Sequence, residues 1–379
     1  MSAFSELEKY VEIDTEKIRI LETVRPVQNR LYSKGVEYDL MECNDISFDL
    51  EPKRKMSKSE PEKTCPKCGK RFPCHVIYCP DCLQTLKDVS DHVNVKDIKA
   101  NPKIEFRRSH SSDNILTDEC YDAIQNFDFS IDDFREITHS IKSQAFKNLA
   151  KMVKDYSIDL ASMEVLDRVL LFAKSFVNVE FKSYGGELGY FEFNRIYVDD
   201  RQRRSLQITT VIHELAHFLL KEILVHVTCH ILDINKNKHV ESVIVYILSN
   251  SIFNSLIDEY AAHTVEGRFT VFGYQDYSSF TALQNELEAE HVDIAKTIGN
   301  TFAIYIKDIM EGFLDWDLRD EIKEEFLNDT IEEPDYAQLR FENCNKLSDE
   351  GFIKALWLIL SEGFQDADME VIETYMENF

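Results

Sequence analysis

A histidine, a glutamate and a second histidine stand at a chemically useful spacing in Thr210-Val211-Ile212-His213-Glu214-Leu215-Ala216-His217-Phe218-Leu219. Residues four apart stack on one helix face, so His213 and His217 can offer two imidazole nitrogens to a single zinc ion. Glu214, one step round the helix, can reach a water on the open side of that ion and take its proton. Leu215, Phe218 and Leu219 would bury the back of the helix. The bland alternative is a core helix with two hydrogen-bonded histidines, which has no need of an acid between them.

A catalytic zinc takes three protein ligands and keeps one position open. The arrangement H-E-x-x-H-x-x-G-x-x-H fails here, because Leu220 and Ile223 occupy the Gly and third His positions. Glu222 lies on the same helix but is rotated off the metal face. His226 and His230 need a sharp break near Val225, where there is no Gly or Pro. The better donor is Glu259, on a helix returning after the loop 233–238, in Asp258-Glu259-Tyr260-Ala261-Ala262-His263. Ala261 and Ala262 are small enough for close helix packing. His263, four residues past Glu259, shares its face and is placed to hydrogen-bond a ligand or a reaction intermediate, with a smaller share as third ligand itself. The other outcome is that Asp258 and Glu259 are surface acids.

Cys65-Pro66-Lys67-Cys68 and Cys79-Pro80-Asp81-Cys82 form two C-P-x-C knuckles. Four thiolates at this spacing close a tetrahedral structural zinc site, and the pattern resembles a zinc ribbon. Protein docking through it is favoured over nucleic-acid contact by Lys67, Lys70 and Arg71, because the chain is acidic overall at −26. Cys43, Cys74, Cys120, Cys229 and Cys344 read as scattered thiols.

The combination of His213-Glu214-x-x-His217 with Glu259-x-x-Ala262-His263 resembles the gluzincin metallopeptidases, closest to the compact minigluzincin kind. There E-x-x-A-D supplies the third ligand; here His263 stands where that Asp would be. The segment Gly189-Tyr190-Phe191-Glu192-Phe193, followed by Ile196-Tyr197-Val198, resembles the family's hairpin. The resemblance implies that Gly189, Tyr190 and Phe191 lie along an extended peptide substrate. It implies zinc on His213, His217 and Glu259, Glu214 as general base, and His263 or Tyr260 beside the oxyanion. It covers about 179–269, under a third of the chain.

The expected fold is α+β: a zincin-like core of small mixed sheet, active-site helix and returning helix, with a zinc-ribbon module and a mainly helical C-terminal region. The expected divisions are 1–60 as helical segment and linker, 61–100 as ribbon, 115–280 as metallopeptidase core and 281–379 as acidic helical region. The last of these holds 7 Lys+Arg against 25 Asp+Glu, whereas 51–110 holds 14 against 8, so any basic patch is confined to the ribbon's surroundings. Residues 1–10 have no apolar core of a secretion signal, and the apolar stretch 209–232 is broken by His213, Glu214, Lys221 and Glu222. A cytoplasmic protein without a membrane span is expected. It would hold one catalytic and one structural zinc and act on a protein or peptide. The competing readings are a SprT-like protease acting on nucleic-acid-bound proteins, with a His as third ligand, and a non-catalytic ribbon-bearing binding protein.

Overall fold

The computed structural model describes residues 7, 9–12, 62–64, 71–73, 87–88, 95–99, 115–182, 188–270, 278–314, 316–329 and 345–379; the strands between 62 and 88 are described by their backbone alone. Cys65, Cys68, Cys79 and Cys82 lie outside the described residues, as does nearly all of 1–60. The fold is mixed α+β and mostly helical, with small sheets.

Strand β1 (Val11–Glu12) is followed by β2 (Glu62–Thr64), β3 (Arg71–Pro73) and β4 (Lys87–Asp88), which make an antiparallel sheet of order β3-β2-β4. Helices α1 (Asp118–Gln125) and α2 (Ile131–Asp155) begin on Thr117 and Ser130, whose side chains each accept the amide three residues on. Ser130 and Asp133 complete a capping box. Helix α3 (Val165–Lys174) ends on a buried lysine, Lys174, whose Nζ donates to the carbonyls of Val95, Lys96 and Ile98 at 2.8, 2.8 and 2.9 Å. This ties the segment after β4 to the main body.

The second three-stranded sheet comprises β5 (Asn178–Lys182), β6 (Gly189–Glu192) and β7 (Arg195–Asp199). Its order is β5-β7-β6, parallel between β5 and β7 and antiparallel between β7 and β6. Among the described residues, the strand expected at 189–193 is therefore an edge. Its turn falls at Phe193-Asn194, one residue earlier than Asn194-Arg195, because Phe193 takes the left-handed conformation at φ 51°.

Helix α4 (Arg204–Leu232) runs through the centre. From Gln207 to Cys229 every residue is buried except His213. A helix apolar on all sides must be covered on all sides, and α3, the β6–β7 hairpin and the helices that follow do this. By length and composition α4 matches a membrane span, yet 78% of that apolar window is buried inside the fold. It ends where Asp233 turns left-handed and the Ile234 amide donates back to the Cys229 carbonyl.

The stretch 239–269 is two helices, α5 (Lys238–Ser249) and α6 (Ile252–Phe269), bent by 95° at a break where Ser251 caps α6. Helices α7 (Ser278–Asn285), α8 (Ala289–Glu311) and α9 (Trp316–Asp329) follow, then β8 (Lys346–Leu347), which pairs with β1. Helices α10 (Asp349–Gln365) and α11 (Met369–Met376) complete the order. One apolar core runs from Phe134 of α2 to Ile372 of α11, so α8 and α10 share it with the helices that carry the site. Gly299 of α8 lets α6 approach: a Cβ there would sit 2.8 Å from the Ile257 carbonyl oxygen.

Candidate metal centre

Helices α4 and α6 pack side by side, and the face of each that meets the other carries the chemistry. His213 Nε2 and His217 Nε2 are 3.1 Å apart, and Glu259 Oε2 lies 3.8 Å from His213 Nε2. The ligand atoms of these three residues all fall within 4.8 Å of one another. The outer nitrogens are engaged elsewhere: His213 Nδ1 is 2.9 Å from Glu266 Oε2, and His217 Nδ1 is 2.9 Å from Asp258 Oδ1.

These contacts test whether a metal fits. When both rings are neutral with the proton on Nδ1, as the His213–Glu266 contact favours, the two Nε2 atoms turn lone pairs toward each other. Two lone pairs at 3.1 Å repel unless a proton or a metal ion lies between them. Nitrogens bound to tetrahedral zinc at about 2.0–2.1 Å would be separated by roughly 3.3 Å, close to what is seen. A carboxylate behind a ligating imidazole is the usual support for such a centre. The donor set fits.

The charges agree. Burial pulls the His217 imidazolium down, but Asp258, Glu259 and Glu214 outweigh it and hold the group up to about 10. Burial likewise opposes charge on His213, and its hydrogen bond to Glu266 raises it. Glu214 is pushed up, chiefly by burial, with His213 and His217 acting against the rise. Burial would raise Glu266, yet its contacts with His213 and His263 lower it. The surrounding acids favour a cation, proton or metal ion, on the imidazole pair, and burial raises the Glu214 carboxyl.

The site opens into a cleft of about 520 Å³. Its walls include Gly189, Tyr190 and Phe191 of the edge strand, Glu214, His263 and, from α7, Ser278 and Ser279. Gly189 has a packing reason: a Cβ would lie 2.3 Å from the Tyr197 carbonyl oxygen and 2.4 Å from Thr210 Cγ2, so the edge strand sits directly on α4. The structure thus brings His213, Glu214, His217, Glu259, His263 and the 189–191 strand to one cleft. Tyr260 is not there. It is buried against Gly299 of α8, because it stands one step, about 100°, round α6 from Glu259.

His226 and His230 stay away from the cleft because α4 continues unbroken to Leu232; their neighbours are Glu222 and Asp133. Glu222 is held by Lys236 Nζ at 2.6 and 2.8 Å. Sequence reasoning missed Glu266 and the contact of Asp258 with His217. A signal existed for Glu266: it stands seven residues after Glu259 and three after His263, on the same helical face.

No family model, curated protein or solved structure matches this chain.

Proposed function

We propose that the chain is a zinc-dependent peptidase of gluzincin-like type, with His213, His217 and Glu259 as ligands and Glu214 as general base. The observation that carries this reading is the converging Nε2 pair at 3.1 Å, backed by two carboxylates and facing Glu259 in an open cleft. Zinc, when bound, supplies Lewis acidity that makes water a nucleophile at neutral pH. Glu214, buried beside that position, accepts the water proton and returns it to the departing amine. Strand β6 lines the cleft, and an extended peptide would add alongside it through backbone hydrogen bonds. Phe191 stacks edge-on to Phe218 at 5.9 Å, which fixes the strand's approach to α4.

Glu259, and not His263, groups with both His213 and His217, which favours this reading over a SprT-like one. A second, structural zinc on Cys65, Cys68, Cys79 and Cys82 is part of the proposal. It is supported by β2, which stops at Thr64 directly before the first knuckle, and by β3, which opens at Arg71 just after it. The test is Glu214→Gln in the full chain. Zinc content should be unchanged, and new peptide N-termini found in cells with the parent protein should vanish with the variant. Cleavage at the parent rate by a zinc-loaded Glu214→Gln protein would remove the peptidase assignment.

A further inference from the structure

Glu266 is 1% exposed, and a single one of its oxygens serves two imidazoles. Its Oε2 lies 2.9 Å from His213 Nδ1 and 3.0 Å from His263 Nδ1, while Oε1 has no hydrogen-bond partner among the described residues. The two rings are tilted against each other at 4.5 Å between centroids. An ionised carboxylate only accepts, so both Nδ1 atoms must carry protons and donate. In the neutral rings both Nε2 atoms are then acceptors, and that of His263 stands 3.7 Å from Glu259 Oε2.

We infer that Glu266 is a positioning residue that sets the tautomer of both rings at once, aiming His213 Nε2 at the metal and His263 Nε2 into the cleft as an acceptor. This rests on the metal reading of His213 and His217 and adds a rule about His263. A neutral His263 held this way cannot donate to an oxyanion; it takes a hydrogen bond from an N–H or O–H donor, such as the amide of a bound peptide. Distance along α6 explains the arrangement. With an imidazole at 263 there is no carboxylate four residues past Glu259 to hold His213, and the acid one turn further on does so.

The experiment is nitrogen-15 NMR of histidine-labelled full-length protein, zinc-loaded and zinc-free, with His263→Asn to assign one ring. The expected result is an Nδ1–H tautomer at His213 in the zinc form and at His263 in both forms. Glu266→Met removes the acceptor and should lose that signature at His263 and weaken zinc binding by about 10–100-fold, measured by chelator competition. Glu266→Gln keeps an acceptor oxygen and should fall between the two, which also decides the matter if the Met variant does not fold. An Nε2–H tautomer at His263 in the parent, or zinc affinity within threefold of parent in folded Glu266→Met, overturns the inference. If the parent binds no zinc at this centre, the peptidase reading fails instead, while the His263 tautomer still tests the role of Glu266.

Discussion

Lys221, one helical turn beyond His217, is a fully buried cation, and its removal should be costly in a way that can be worked out. Its Nζ lies 2.5 Å from Asn194 Oδ1, 3.1 Å from Glu222 Oε1 and 3.4 Å from both Glu241 Oε1 and the Phe193 carbonyl. Lys236 contacts the same two acids, at 2.6 Å to Glu222 and 3.0 Å to Glu241, so two cations balance two carboxylates. Lys221→Met keeps the apolar stem among Phe191, Phe218 and Phe379 but leaves one net buried negative charge. Breaking a buried pair costs about 3–5 kcal/mol, and the surviving Lys236 places this case near the lower end. An unfolding entropy of about 2.1 cal/mol/K per residue gives roughly 0.8 kcal/mol/K for a chain of this size, so Tm should fall by about 4 °C. Adding Glu241→Gln removes the excess charge and should restore part of the loss, giving a measurable coupling in a double-variant cycle. Because Lys221 also grips the Phe193-Asn194 turn, amide exchange in the β6–β7 hairpin should quicken in the single variant. A Tm change below about 1 °C, with no coupling to Glu241, would refute the reasoning.

The same cluster sets an acid limit. Burial would raise the Glu222 carboxyl, but Lys236, Lys221 and His226 overcome it and hold the group well below its ordinary range. A depressed carboxyl stabilises the fold above its unfolded value of about 4.3 and loses that contribution as pH falls through the lower folded value. Glu222→Gln should therefore destabilise at neutral pH and flatten the stability–pH curve below about pH 4, checked by denaturant titration across pH. Gly189→Ala should cost about 1–3 kcal/mol by overpacking against Tyr197 and Thr210, read by chemical denaturation. Glu259→Gln should keep the fold and weaken zinc binding at least tenfold in chelator competition. Apo protein at pH 5 should take up zinc more weakly than at pH 7.5, since ligand imidazoles must lose protons to bind.

The histidine pair, its acid and the edge strand were legible because their signals are local. Four-residue spacing fixes a shared helix face, and a strand–turn–strand alternation fixes a hairpin. Glu259 was singled out by its place on a returning helix beside the small Ala261 and Ala262, although nothing local tells a ligand from a surface acid. Tyr260 was misplaced because adjacent helical positions differ by about 100°, and α6 is buried on both sides, by α4 and by α8. The Lys221 network was invisible: Asn194, Lys236 and Glu241 come from three separate segments, and in sequence Lys221 and Glu222 read only as interruptions of an apolar run. The role of Glu266 depends on how α6 is rotated about its axis, which the packing of α8 on its far side decides.

The central claim is that His213, His217 and Glu259 hold one zinc ion apart from any zinc on the four cysteines. The direct measurement is zinc per chain in the purified full-length protein and in its His213→Ala/His217→Ala variant, with X-ray absorption to identify the donor atoms. The account predicts two ions falling to one, the lost ion having nitrogen and oxygen donors at about 2.0–2.1 Å and the retained ion sulfur at about 2.3 Å. Equal zinc in both proteins, with sulfur donors alone, would contradict it.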